Sequence, residues 1–316
     1  MWSTDSSVAD VSSAPQVPGP GEINVDHLAH FVPDIDAATR ALEALGFAPT
    51  PFSAQFHRLQ PDGPLVPAGT GNRCVMLGRG YLEFLTPTGD TPVAAQLRRA
   101  IARHTGVHLV AFGTSDAEND HSRLVREGFS PLDPIALQRP IPTESGESTA
   151  RFTVVRVAPG TMAEGRIQFC QHHTPELVWQ ARWLAHPNGA AGLAAVLVCV
   201  HDPEEAGRRY ARFTGLDPES ESEAWHLRSA RGSVTFVGAD AARERLGVEP
   251  PSLPWIAGAV LETCDLARTR AHLEASGAQP QSIAGGVELV RLPPELGGIL
   301  IFQERGARFG LGPALA

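Results

Sequence analysis

The side chains with the chemistry to do work in this sequence are two histidines, a carboxylate and an amide. His27 and His108 each sit in an apolar, strand-like run, seven or eight residues before an Asp. Glu83 lies inside Tyr-Leu-Glu-Phe-Leu. Strand alternation places Tyr81 and Glu83 on one face and Leu82 and Phe84 on the other. A carboxylate there is costly to bury unless it is paired or bound to a metal. Gln168 occupies the matching place in a second segment, Gly-Arg-Ile-Gln-Phe-Cys-Gln. Two neutral imidazoles and a carboxylate are donors that take a divalent first-row metal and leave coordination positions open. Such an ion acts as a Lewis acid and stabilises an enolate or an alkoxide. Close by, His172 has the parity of Gln168 and offers an acid or base. Glu176 follows it, beside a Pro175 that suits a helix start. Asn72 and Arg73 open another strand, where Arg73 offers a fork for a substrate carboxylate or a surface ion pair.

Other chemistries are excluded by composition. All 26 basic residues are Arg, so Schiff-base, pyridoxal phosphate and P-loop lysine chemistry is absent. Cys74, Cys170, Cys199 and Cys264 form no CxxC and read as buried small hydrophobes. A formal charge of −9 gives no footprint for nucleic acid or anionic membrane. No apolar run reaches the roughly 20 residues of a membrane helix.

The elements that must position these residues come as a fourfold repeat over 25–85, 107–171, 193–238 and 258–303. Each opens with an apolar strand ending at an Asp (Asp34, Asp116, Asp202, Asp265), the residue type wanted at a helix N-cap. A helix follows and stops at a Gly (Gly46, Gly128, Gly215, Gly277), where a left-handed residue is needed. Shorter strands complete a βαβββ unit. One unit cannot bury both its helix and its sheet, so units pair into two domains joined near His186–Ala190. The expected fold is α+β, with tails at 1–22 and 306–316 and domains at 23–186 and 190–305. Residues 53–71 and 130–149 are rich in Pro, Gly and Ser and read as long loops, either covering the cup mouth or simple insertions.

The run DHLAHFVPDIDAATRALEALGF resembles the vicinal oxygen chelate superfamily. NRCVMLGRGYLEFL and QHHTPELVW followed by HPNGA resemble its bacterial glyoxalase-like members. The resemblance implies two vicinal-oxygen-chelate domains, each a curved, cup-like mixed sheet with helices outside. It implies metal ligands on the opening and closing strands of paired units: His27, Glu83, His108 and Gln168. The matching positions of the last two units, about Ala194, Gly258, Thr235 and Ile301, carry no ligand set, so the C-terminal pair reads as a structural or lid-forming copy. Glu83, Gln168 and His172 are then the catalytic candidates, and Asn72, Arg73, Tyr81 and Glu176 the substrate-binding ones. His30, His57, His104, His121, His186, His201, His226 and His272 fit no such constellation and read as structural or surface residues.

The expected function is a metal-dependent lyase or isomerase on a small molecule with vicinal oxygens. The ion would be Fe, Mn, Zn, Ni or Co. An Fe(II) ring-cleaving dioxygenase and a non-catalytic small-molecule binder are the competing readings. A cytoplasmic bacterial protein, monomeric or homodimeric, is expected.

Overall fold

The computed structural model describes residues 16–58 and 63–311. Four βαβββ units are present and alternate apolar strands with amphipathic helices. Unit one holds β1 (Ile23–Phe31), α1 (Ile35–Ala44), β2 (Ser53–Arg58), β3 (Leu65–Met76) and β4 (Tyr81–Pro87). After the connecting helix α2 (Pro92–Arg103), unit two holds β5 (Gly106–Thr114), α3 (Ala117–Arg126), β6 (Ile135–Thr143), β7 (Gly146–Arg156) and β8 (Arg166–His172). A single helical turn, α4 (Pro175–Val178), follows. Unit three holds β9 (Ala190–Cys199), α5 (Pro203–Thr214), β10 (Pro218–Glu221), β11 (Ala224–Arg228) and β12 (Ser233–Val237). Helix α6 (Ala239–Leu246) leads to unit four: β13 (Trp255–Thr263), α7 (Leu266–Ala275), β14 (Gln281–Ile283), β15 (Val287–Arg291) and β16 (Ile299–Glu304).

The helix boundaries follow from the residues that cap them. Asp34, Asp116, Asp202 and Asp265 each accept backbone N–H groups from the first turn of α1, α3, α5 and α7. The glycines that end these helices all adopt positive φ, between 76° and 85°.

In the N-terminal half the strands run β1-β4-β3-β2-β6-β7-β8-β5. The antiparallel pairing of β5 with β1 returns that sequence to its start, so the eight strands form a closed barrel. The closing contact at the mouth is β2 with β6, through Phe56 opposite Gln138 and His57 opposite Leu137. The two segments expected to be long loops are therefore largely barrel wall. Pro140 and Pro142 stand beyond the stretch of β6 that pairs with β2, where a missing N–H costs little, so a Pro-rich segment serves as a strand. Residues 59–62, within the first segment, lie outside the described residues.

The C-terminal half repeats the plan around β9 and β13, with β12, β11 and β10 on one side and β16, β15 and β14 on the other. A single pairing of Val107 with Ile256 makes the two sheets continuous. The interior of this second cup is filled by Leu197, Val260, Leu289 and Ile301, with Ala242 and Leu246 of α6. Phe309 and Leu311 pack there too. Within the expected C-terminal tail, Phe309 and Leu311 are thus buried while residues 306–308 are exposed; residues 1–15 and 312–316 lie outside the described residues. Residues 16–22 are also anchored, with Gln16 Nε2 donating to the Gly78 carbonyl at 2.6 Å. Three cysteines are buried as expected, but Cys264 is exposed because it lies just past the end of β13. No helix among the described residues is long and apolar enough to cross a membrane.

A shared apolar layer joins the halves. It contains Leu42 of α1, Leu124 of α3, Phe213 of α5 and Leu273 of α7, with outward strand residues such as Phe112, Phe169 and Phe302. Phe213 stacks on Phe169 at 5.1 Å and meets Phe129 edge-on at 5.3 Å. Removing a buried aromatic ring leaves a cavity and costs ~3–5 kcal/mol. Phe213→Ala is therefore expected to lower the stability of both halves together, as one unfolding transition displaced to lower denaturant. Two transitions, with only the C-terminal one displaced, would contradict the shared layer.

Candidate active site

The barrel encloses a cavity of about 390 Å³. Its wall comes from inward-facing strand positions, and the repeat fixes which residues those are. His27 of β1 pairs with Tyr81 of β4, and Ala29 with Glu83. By the same register in unit two, Leu109 of β5 pairs with Arg166 of β8, and Ala111 with Gln168. His27, Tyr81, Glu83, Leu109, Arg166 and Gln168 all line the cavity.

His27 is held on two sides. Its Nδ1 donates to Asp26 Oδ2 at 2.6 Å, and its ring stacks on Tyr81 at 4.4 Å. The Nδ1 proton leaves Nε2 as the ring's lone pair, the tautomer a metal ligand or a base requires. Asp26 occupies a bulge in β1, between the pairs Val25–Phe112 and His27–Ala111. The bulge re-aims its carboxylate, so that consecutive residues bond to each other. The same Oδ2 accepts Nε2 of His172 at 3.0 Å. Asp26 is fully buried, and burial alone would raise its pKa. The charges and hydrogen bonds of His172 and His27 outweigh burial and hold the carboxyl well below its ordinary range.

Glu83 is positioned by amides. Its Oε1 accepts Asn72 Nδ2, and Gln55 Nε2 at 3.2 Å. Thr70 orients Gln55 through a 2.7 Å bond to Oε1. Gln168 Oε1 accepts Arg156 Nε at 3.2 Å. Arg139 Nη1 donates to Asn72 Oδ1 at 3.3 Å. Arg139, Arg156 and Arg166 all line the cavity. Burial, then the Arg166 charge, pushes the Arg156 guanidinium down to about 10.

Residues 25–214 match the glyoxalase-like domain. The chain belongs to this glyoxalase-like family. The family lies within the vicinal oxygen chelate superfamily, and the match runs from β1 to the end of α5. Among solved structures, a hypothetical protein from Staphylococcus aureus is similar at 12% identity and TM-score 0.60, over 89% of this chain and 99% of its own. A mutant of 4-hydroxymandelate synthase from Streptomyces coelicolor is similar at 15% identity and TM-score 0.57, over 92% of this chain and 95% of its own. A xylose isomerase-like TIM barrel/4-hydroxyphenylpyruvate dioxygenase fusion protein is similar at 13% identity and TM-score 0.52, over 94% of this chain and 51% of its own. At such identities the likeness is one of fold. No curated protein matches the chain.

Within this glyoxalase-like barrel, His27, Glu83, Gln168, Asn72 and Tyr81 come together at the cavity, and His108 does not. The position equivalent to His27 is Leu109. His108 occupies a bulge in β5, between Ala29–Leu109 and His30–Val107, and corresponds to Asp26 rather than to His27. Its Nε2 donates to the His104 carbonyl at 2.8 Å and its ring stacks on His104 at 4.1 Å. One residue of slip moves a side chain off the face. The same slip applies to Ala194, whose place on the inner face belongs to Ala195, opposite Ser233.

The other candidates are dispersed. His172 is buried behind Asp26, against Trp179 at 4.8 Å, and does not line the cavity. Arg73 points away and donates to the Thr50 carbonyl at 3.0 Å. Glu176 is exposed on α4. His57, read as structural or surface, lines the cavity near the β2–β6 contact.

Asp26, Arg139, Arg156 and Arg166 were absent from the expected site. Asp26 precedes His27 directly, so the Asp-His pair was the signal available. The arginines lie on β6, β7 and β8, and nothing in their spacing separates them from the other arginines. The donor atoms of Asp26, Cys170 and His172 lie within 4.8 Å of one another. Burial pushes the Cys170 thiol well up, which keeps it protonated, and both imidazoles occupy Asp26. This group is a hydrogen-bond relay behind His27.

Two buried histidines outside the cavity make stability depend on pH. Burial lowers His30 from 6.5 to about 4 and His108 from 6.5 to about 3. The folded protein keeps both neutral, while the unfolded chain takes up protons below about pH 6.5. Their contribution is full above that pH and is lost as pH falls toward 4. At pH 5 the loss is ~2 kcal/mol for each. Denaturant unfolding at pH 7 and pH 5 should show this fall, and His108→Gln should reduce it by ~2 kcal/mol. A variant as pH-sensitive as the parent would contradict the assignment.

Proposed function

We propose that this glyoxalase-like chain is a metal-dependent enzyme acting on a small molecule with vicinal oxygens. The N-terminal pair of units, 23–186, carries the site, and the C-terminal pair, 190–305, supports it. The observation that carries the reading is the cavity-facing set His27, Glu83 and Gln168, with the His27 tautomer fixed by Asp26. One imidazole nitrogen, one carboxylate and one amide oxygen suit a divalent ion such as Fe, Mn, Zn, Ni or Co, and leave positions open. A histidine whose other ring nitrogen donates to a carboxylate is a recurrent metal-site arrangement. The residues therefore fit a divalent ion, with His27, Glu83 and Gln168 holding it.

When bound, the ion would polarise a substrate carbonyl or hydroxyl and lower the cost of an enolate or alkoxide. The chain's own residues do the rest. Asn72 and Gln55 fix the Glu83 carboxylate at Oε1, so that its second oxygen is aimed by geometry rather than by chance. Tyr81 clamps the His27 ring.

The test is proton exchange. The metal-loaded protein is incubated with 2-hydroxyacyl compounds in deuterated water, and the proton beside the carbonyl is followed by NMR. Metal-dependent exchange that Glu83→Gln removes supports a lyase or isomerase. Oxygen uptake with a redox-active ion, and no exchange, favours the ring-cleaving dioxygenase instead. Two structural neighbours whose names carry a synthase and a dioxygenase share this fold, which keeps that reading second.

A further inference from the structure

The cavity holds more positive charge than its own residues balance. Arg139, Arg156 and Arg166 all face it, and the carboxylate on its wall is Glu83. None of the three forms an ion pair with a carboxylate among the described residues. Arg156 donates to the Gln168 amide at 3.2 Å, and Arg166 to the Gln96 amide at 3.3 Å. Arg139 donates to the Asn72 amide and lies over the Phe152 ring at 5.8 Å. Elsewhere the chain pairs its sheltered arginine: Arg209 grips Glu164 with two bonds at 2.8 and 3.0 Å.

Buried charges persist in proteins when something pairs them. Guanidinium groups present paired donors that match an oxyanion. A divalent ion at His27, Glu83 and Gln168 would add further positive charge to the same space. We infer that the cavity is built for an anionic ligand, a small molecule whose carboxylate or phosphate is held by Arg156 and Arg166, with Arg139 on the adjoining strand β6. This rests on reading the cavity as the substrate site, and it names the substrate class: an acid whose apolar body lies against Leu85, Leu109 and Phe152. Arg156 and Arg166 are substrate-binding residues in this account. The apolar contacts explain why a bare inorganic ion would use only part of the site.

The test uses the full chain, stripped of metal with EDTA so that failure of the metal reading leaves the result intact. The probes are 3-phenyllactate, phenyl phosphate and the uncharged 3-phenyllactamide, with binding measured by calorimetry and thermal shift. Preferential binding of 3-phenyllactate assigns the carboxylate; preferential binding of phenyl phosphate assigns the phosphate. Either anion should bind at least tenfold more tightly than the amide. Arg156→Met and Arg166→Met should each remove that preference. In the absence of any ligand, both variants should melt at or above the parent temperature, because a half-buried charge without a carboxylate partner has been removed. Equal binding of anions and amide, or no binding of either anion by the parent protein, would overturn the inference. So would variants that keep the preference.

Discussion

Replacing His27 with Ala is expected to remove metal binding, while replacing His108 with Ala leaves it unchanged. His27 reaches the cavity with its tautomer set by Asp26, whereas His108 is bonded to the His104 carbonyl and lies off the cavity wall. Outer residues that merely orient a ligand change metal affinity by roughly 10–100-fold. Loss of one of three protein donors should exceed that range. Titration with a divalent ion under competition from a calibrated chelator reads both variants. Equal losses in the two would mean that His108 reaches the ion, and would contradict the register that places Leu109 there.

Asp26→Ala should have the next largest effect, on stability and metal affinity together. The carboxylate accepts both His27 and His172 through one oxygen in a fully buried setting. Breaking a buried charged network by removing one partner costs ~3–5 kcal/mol. His27 would also lose the partner that fixes its proton at Nδ1, so metal affinity should fall by roughly 10–100-fold. Asp26→Asn keeps the shape and one acceptor, and should recover part of the stability but little of the affinity. Denaturant unfolding and metal titration on both variants separate these effects. An Asp26→Ala protein as stable as the parent would show that the relay carries no weight.

The repeat was legible because local chemistry marks it. Asp34, Asp116, Asp202 and Asp265 cap their helices as their type predicts, and Gly46, Gly128, Gly215 and Gly277 end them. The side of the strand on which Glu83 and Gln168 stand follows from alternation, and both face the cavity. The opening-strand positions did not follow as cleanly. A spacing of seven residues before the capping Asp picks His27, Leu109, Ala195 and Gly258; a spacing of eight picks His108 and Ala194. The two spacings straddle a bulge in each central strand pair, and a bulge is a backbone feature that residue types do not announce. The barrel's closure was hidden for a similar reason. Its wall includes Pro-rich β6, which reads as loop until β2 pairs with it. The cavity arginines come from three different strands, and only the pairing of those strands brings them together.

In the proposed site a divalent ion sits in the N-terminal barrel on His27, Glu83 and Gln168. Elemental analysis of the purified protein tests it most directly, on the parent and on the His27→Ala and His108→Ala variants, after reconstitution with each candidate ion. One ion per chain is expected in the parent and in His108→Ala, and none in His27→Ala. A folded parent protein that takes up no ion, or a His27→Ala variant that keeps one, would contradict it.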